Sequence, residues 1–231
     1  MNAIVAEAFC EAADILEKAE DFEMAVHDLI KEYMTDHHRI IFNGNGYSDE
    51  WVQEAERRGL PNIRSMVESA SALTTDKAVK LFEKFHIFTK AELESREEVQ
   101  YETYAKSINI EALTMIDMAS RQIIPAVVGY TQKLAKTVLD VKAAGVEPSV
   151  QIELLAQVNE KLTEMKGALA DLQKVEAEAS AMEDGKAQAF FYKDAVMPAM
   201  AALRKPADEL EMLVDKEDWP FPTYGDLMFE V

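Results

Sequence analysis

The chain has 231 residues, 48% of them hydrophobic, and a formal net charge of -19 at pH 7. So much negative charge repels nucleic-acid phosphates and anionic lipid head groups, so neither is an expected partner. Cys10 is the single cysteine, which excludes a disulfide framework and a cysteine-based metal site within the chain. No apolar run is long enough to cross a bilayer, and the N-terminal region carries acids instead of the bases of a signal peptide. A cytoplasmic location is predicted.

The first predicted element is a helix over residues 2 to about 36. Its apolar residues recur at steps of three and four, which keeps them on one face of a helix. They are Ile4, Ala8, Ala12, Ile15, Ala19, Phe22, Val26, Leu29 and Tyr33. Because this pattern is already established at Ile4, it is equally compatible with a helix that begins the protein and with one that continues from something larger.

A loop with two Asn-Gly steps follows at residues 43–48, and these steps favour tight turns. A phosphate-binding loop would need Gly-x-Gly-x-x-Gly or a closing Gly-Lys-Ser/Thr. The chain offers only Gly44 and Gly46, with Asp49 in the position of the third glycine, so nucleotide binding is not expected. The adjacent His37 and His38 would point about 100° apart on a helix and could not share a metal ion.

Short helices are predicted over the next segment, residues 49–88. Ser48 should cap the first, which ends near Arg57, and two others should cover roughly 62–71 and 76–86. Glu83 and His86 form one Glu-x-x-His pair, but a di-metal site in a helical bundle needs a second pair and two further glutamates. A weaker pair, Glu23 with His27, does not complete the set, so no metal site is predicted.

The longest regular segment is residues 89–145, predicted as one long helix. About 50 residues at 1.5 Å each would span roughly 75 Å, which requires other long helices packed along it. Thr89 and Glu92 are placed to form a capping box, Gly145 ends the helix, and Pro125 predicts a kink. Its apolar stripe is Tyr101, Tyr104, Ile108, Ala112, Met115, Ala119, Ile123, Val127, Tyr130, Leu134, Val138 and Val141.

Two further long helices are predicted, over about 148–183 and 187–214. Pro198 and Pro206 should bend or break the second of them. The short turns between the three long segments favour antiparallel neighbours. The predicted fold class is therefore all-α: an up-and-down bundle of long antiparallel helices, with short helices, a junction loop and a non-helical aromatic tail. We divide it at 1–48, 49–88, 89–217 and 218–231, all within one structural unit.

The tail, residues 218–231, combines two prolines with large apolar side chains. The prolines disfavour a continued helix, and the side chains are too apolar to trail in water. We expect the tail to dock on a surface, either of its own bundle or of a neighbouring subunit. The candidate interaction residues are Trp219, Phe221, Tyr224, Leu227 and Phe229.

No residue has a recognisable catalytic setting. No serine, histidine and carboxylate share the pattern of a nucleophile with its base, and Cys10 has no basic neighbour to activate it. The carboxylates fall on the solvated faces of helices. From the residues alone we predict a soluble helical bundle with no catalytic residue, cofactor site or metal ligand of its own, which is compatible with a stand-alone helical protein–protein interaction module.

Several strings nevertheless resemble one family. Residues 39–59, with the sequence RIIFNGNGYSDEWVQEAERRG, and the tail from Trp219 to Val231 closely resemble the C-terminal region of type III glutamine synthetases. Residues 88–96 and 123–125 look like the start and middle of the long helix of that family. The resemblance extends over essentially the whole chain.

The resemblance implies a role in nitrogen metabolism. The family joins ammonia to glutamate with ATP, through a γ-glutamyl phosphate held by magnesium ions, in stacked hexameric rings. Its catalytic residues belong to a domain upstream, and none can be placed on this sequence. The resemblance thus implies a C-terminal helical fragment that is itself inactive, that supports subunit packing, and whose partners are its own catalytic domain and neighbouring subunits. ATP and magnesium are implied for the parent enzyme only, and the loop at 43–48 would be a junction element.

Overall fold

The computed structural model describes residues 1–222 and 224–229, with only the backbone of Tyr224. Every regular element in these ranges is helical, which confirms the predicted all-α class. The chain divides into two compact units, Met1–Gln100 and Tyr101–Val231. The division falls inside a continuous helix and not in a loop.

The first unit contains five helices and the beginning of a sixth. A 3-10 turn at His38–Ile40 follows the second helix, and another at Ser71–Thr74 follows the fourth. The helices are α1 (Asn2–Leu16), α2 (Phe22–Asp36), α3 (Asp49–Arg57), α4 (Met66–Ala70), α5 (Asp76–Lys84) and α6 (Lys90–Met118).

The single helix predicted over residues 2–36 is wrong, because the chain leaves the helical path after Leu16 and starts a new helix at Phe22. The Asp21 side chain accepts the Met24 N–H at 3.1 Å and so caps α2. Acids such as Glu17 and Glu20 would also be unfavourable near the negative C-terminal end of α1. The break lets α1 contact both α2 and α5.

The loop between α2 and α3 is held by an aromatic pair and by arginine. The Phe42 ring stacks on Trp51 with 4.4 Å between ring centroids. The Arg58 guanidinium donates to the carbonyl oxygens of Arg39 and Ile41, at 3.1 and 2.7 Å, and also pairs with Glu54. A Cβ at Gly44 would lie 2.7 Å from the Phe42 ring, so a larger residue there would push the ring out of its present position.

The long helix predicted over residues 89–145 is confirmed, with one local change. It begins with α6, passes through a π-helical turn at Ala119–Ile123, and continues as α7 (Ile124–Ala143). The predicted capping box is present, since the Thr89 N–H donates to the Glu92 carboxylate at 2.7 Å and the Glu92 N–H donates to Thr89 Oγ1 at 3.4 Å. Gly145 ends the helix with φ of 84°.

The second unit is completed by four more helices, α8 (Ser149–Ser180), α9 (Gly185–Phe191), α10 (Met197–Glu211) and α11 (Tyr224–Phe229). A π-helical turn at Tyr192–Val196 joins α9 to α10 without a break. The helix α8 packs against both α7 and α10, which gives the predicted bundle of long helices joined by short turns. The tail differs from the prediction, because it includes the short helix α11 after Pro222.

Both π-helical turns are followed by a proline. The N–H of Ile124, just before Pro125, bonds to the carbonyl of Ala119 five residues back, and the N–H of Met197, just before Pro198, bonds to that of Tyr192. A proline cannot donate to the carbonyl four residues back and clashes with it, and the wider turn accommodates this. The sequence predicts a bend or a break at Pro206, and α10 continues through this proline without a break.

The core of the second unit lies along the facing sides of these long helices. Its fully buried side chains include Val127, Val158, Met165, Leu172 and Leu210. Because such cores are packed at the density of organic crystals, each removed side chain leaves a cavity.

Replacement of Leu172 by alanine is expected to lower the free energy of unfolding by about 2–5 kcal/mol, since the side chain is fully buried. Urea denaturation followed by circular dichroism measures the change. The matched control is Leu139→Ala on α7, whose side chain is 67% exposed, and its effect should stay within about 0.5 kcal/mol. If both variants lowered the free energy of unfolding equally, the burial of Leu172 in this core would be contradicted.

The second prediction concerns Glu54, whose hydrogen bonds from Arg57 and Arg58 lower the pKa of its carboxyl from 4.5 to about 2. A carboxyl with a lowered folded-state pKa stabilises the fold above pH 4.5, and this contribution is lost as the pH falls towards 2. Glu54→Gln should therefore flatten the decline of the melting temperature across this pH range. Glu56→Gln, at an exposed position of the same helix, is the control. If the melting temperatures of Glu54→Gln and of the unmodified chain fell in parallel with pH, the hydrogen bonds from Arg57 and Arg58 would contribute nothing to stability.

Candidate interaction site at the C-terminal tail

A tight turn directs the tail back onto the bundle. After the buried Val214, the Trp219 N–H donates to the Asp215 carbonyl at 3.0 Å, and the Glu217 N–H donates to the Asp215 carboxylate at 2.9 Å. The chain therefore reverses within five residues of the end of the core. The reversal places the aromatic residues that follow on the surface of the bundle.

Two of the predicted tail residues pack against the bundle of their own chain. Trp219 and Phe221 are half-buried against the core of the second unit. They form one wall of a groove of about 340 Å³, a size within the range of small-molecule sites. Its other described lining residues are Met115, Met118, Ala119, Ile123, Met165, Leu203, Arg204, Ala207, Asp208, Glu211, Pro222 and Leu227.

Ion pairs hold the tail at two points. Lys133 Nζ lies 2.5 Å from Asp218 Oδ1, and Lys216 pairs with Asp226 of α11. The hydrogen bond with Asp218 raises the pKa of Lys133, and burial raises that of the Tyr130 hydroxyl beside the same turn. Ion pairs with a solvent-exposed partner contribute little to stability. We therefore assign to these pairs the direction of the tail, and to the aromatic contacts most of its attachment to the bundle.

The end of the tail is different from its beginning. The Leu227 side chain borders the groove but is 69% exposed, and Phe229 is 79% exposed. Met228, which the sequence reasoning did not include, is equally open to solvent, and its position beside Leu227 on a short helix is the signal that could have found it. The side chain of Tyr224, also predicted to belong to the tail site, lies outside the described part of the structure.

The chemistry of the groove suits binding. Its floor carries methionine, leucine and alanine side chains, and its rim carries Arg204, whose Nε lies 3.2 Å from Asp208 Oδ2. The lining residues that the structure describes include no histidine, cysteine or serine that could act as a nucleophile or base. The groove can therefore receive an apolar group next to a polar rim.

Other polar clusters of the second unit join its helices. Asn109 Nδ2 donates to the Tyr192 hydroxyl at 2.6 Å and to Ser180 Oγ at 3.0 Å, which connects α6, α8 and the second π-helical turn. Lys161 on α8 lies 2.6 Å from Glu209 on α10, and this hydrogen bond raises the pKa of Lys161 and lowers that of Glu209. Both clusters therefore pair groups of the bundle with one another.

The histidine pairs considered in the sequence lie in the first unit. Glu83 is in α5, and His86 follows it with φ of 53°, in the left-handed region at the end of the helix. Glu23 and His27 are on α2. Over residues 1–222 and 224–229, no group of three or more potential metal ligands is brought together. Within the same ranges, none of the helices has the combination of length and hydropathy that a bilayer crossing requires.

Comparison with known proteins assigns the sequence to a family. The model of the glutamine synthetase C-terminal domain matches residues 25–142. The chain is 35% identical over 214 residues to a glutamine synthetase of Butyrivibrio fibrisolvens, covering 92% of this chain and 31% of that protein. It is 32% identical to the type-3 glutamine synthetase of Dictyostelium discoideum, covering 99% of this chain and 32% of that protein.

A glutamine synthetase of Bacteroides fragilis strain YCH46 is also similar, with 31% identity over 93% of this chain and 30% of the relative. The chain thus spans about a third of the length of the curated relatives it matches. The matched residues 25–142 include the 39–59 and 88–96 strings, which confirms the resemblance drawn from them. Since the family model covers just over half of the chain, this protein belongs to the glutamine synthetase C-terminal domain family.

Proposed function

We propose that this chain is the non-catalytic C-terminal domain of a type III glutamine synthetase and that it supports the packing of subunits in an oligomer. The longer enzyme would join ammonia to glutamate with ATP and magnesium in the cytoplasm, while the purified chain would form no glutamine from these substrates. The observation that carries the proposal is the match of residues 25–142 to the C-terminal domain model. The threefold greater length of the relatives supports it.

The arrangement of the tail supports the packing role. Its first half is anchored by Trp219 and Phe221 on the bundle and by the pair between Lys133 and Asp218. Its second half presents Leu227, Met228 and Phe229 to solvent. An anchored base reduces the entropy that an exposed apolar tip loses when it binds, and this is the property that an interface segment needs.

A second candidate function is that of a stand-alone module that binds a partner protein through the same tail. The exposed apolar tip and the adjacent groove would serve a separate protein as well as a neighbouring subunit. The two functions differ in the size of the native polypeptide.

The third prediction is therefore that an antibody against this chain detects, in the cells of origin, a polypeptide about three times heavier than 26.0 kDa. An immunoblot of a freshly lysed sample with protease inhibitors makes the measurement. The purified 231-residue chain on the same gel is the size standard. A native band at 26.0 kDa would reject the domain assignment and favour the stand-alone module.

The fourth prediction concerns assembly of the longer enzyme. The double variant Leu227→Asp/Phe229→Asp should shift its mass distribution towards smaller species in analytical ultracentrifugation, because two carboxylates would be buried without partners at the interface. Both side chains are exposed in the chain itself, so its melting temperature should change little.

The control for assembly is Leu139→Asp, which places one such carboxylate at an exposed position of α7. It should leave the mass distribution unchanged. Normal assembly of the double variant would exclude the tail tip from the subunit interface, even if the chain is a domain of the enzyme.

A further inference from the structure

The first helix has its larger apolar side chains on the side that faces solvent. Because successive residues of a helix are about 100° apart, the positions 1, 4, 5, 8, 9, 12 and 15 fall within one half of the surface of α1. Phe9, near the middle of this face, is 71% exposed. The large exposed side chains of this face, which we call the α1 apolar face, are Met1, Ile4, Val5, Phe9 and Ile15.

The opposite side of α1 carries small side chains that are buried or half-buried, and at the boundary Ile4 and Ala8 border a groove beside Ala78 and Leu81 of α5. Ala3 is buried, and Ala6 and Cys10 are half-buried, where the helix meets α2 and α5. Lys84 of α5 lies 2.6 Å from Glu7 at the edge of this contact. Small side chains therefore face the chain itself while Val5, Phe9 and Ile15 face outward, the reverse of a helix whose packing is complete.

The first unit has too few buried residues to leave such a face open without a cost in stability and solubility. Over 1–100, its buried hydrophobic residues are Ala3, Leu29, Ala55, Val67, Ala70 and Leu93, half of them alanine. A unit of this size normally buries most of its large apolar side chains, and a contiguous exposed set marks a surface that another protein surface covers.

The position of α1 in the family indicates what covers it. The C-terminal domain model begins at residue 25, so α1 (Asn2–Leu16) lies outside it. The similarity to the Dictyostelium enzyme nevertheless extends over 99% of this chain and so includes α1. Relatives of this kind are about three times as long as the chain. The helix therefore precedes the segment that the C-terminal domain model matches, in a region shared with a longer relative.

We propose that the α1 apolar face is the surface on which the part of the glutamine synthetase preceding the C-terminal domain packs. This inference rests on the proposed function, because it requires the longer polypeptide. The face would be covered by an apolar surface of that part, with Phe9 as the central contact. A second copy of this chain would be the competing occupant.

Hydrogen exchange measured by mass spectrometry tests the proposal without any substitution. The amides of α1 should exchange at least about tenfold more slowly in the native longer enzyme than in the isolated 231-residue chain, because packing suppresses local opening of the helix. Phe9→Asp in the enzyme should return the exchange of α1 to the rate of the isolated chain. Leu139→Asp, with the same charge at a similarly exposed position, should not.

If α1 exchanged equally fast in the enzyme and in the isolated chain, the inference would be wrong while the domain assignment remained. The inference would also be wrong if the α1 amides exchanged slowly in the isolated chain and faster on dilution, because a second copy of the chain would then cover the face. If Phe9→Asp prevented folding of the enzyme, the proposal would still be tested by Phe9→Ser and by the comparison of the unmodified enzyme with the isolated chain. A native polypeptide of 26.0 kDa would instead reject the proposed function itself.

Discussion

The second unit depends on one constraint, the need to cover the apolar stripe of the helix that runs from α6 through α7. A single helix of this length cannot bury a stripe on its own, so α8 packs against α7, and α10 packs against α8 and joins the same core. The side chains that meet there, among them Val127, Val158 and Leu203, are removed almost completely from water. The short turns, the antiparallel order and the position where the tail begins all follow from this packing.

The sequence was most informative where one local signal acted alone. The capping box at Thr89 and Glu92, the stop at Gly145 and the cap at Ser48 were all found as predicted, because each depends on a few adjacent residues. The break between α1 and α2 was missed since the apolar period continues through Ala19, while the Asp21 cap and the neighbouring acids decide the outcome. The apolar period favours one continuous helix and the Asp21 cap favours a new one, and periodicity alone does not show which preference is stronger.

The candidate site could be predicted only in part. The composition of the tail showed that it must dock, and Trp219 and Phe221 do pack on the bundle. Its ion pairs could not be foreseen, since Lys133 and Asp218 are 85 positions apart and meet only after the bundle has formed. The short helix α11 could not be foreseen from the prolines at 220 and 222, because they act only on the residues beside them and α11 begins after both.

The π-helical turn before Pro125 limits which sequence changes the long helix can accept. Between Met115 and Val127 the apolar stripe advances by three successive steps of four residues. Each step is longer than the about 3.6 residues of an α-helical turn. The wider π-helical turn at Ala119–Ile123 accommodates the additional residue, so the stripe stays on one face. Such a turn is equivalent to one inserted residue. A one-residue deletion there would restore regular α-helix and bring the proline ring against the carbonyl of the residue four positions before it. The extra residue and the proline should therefore be gained or lost together as the gene diverges.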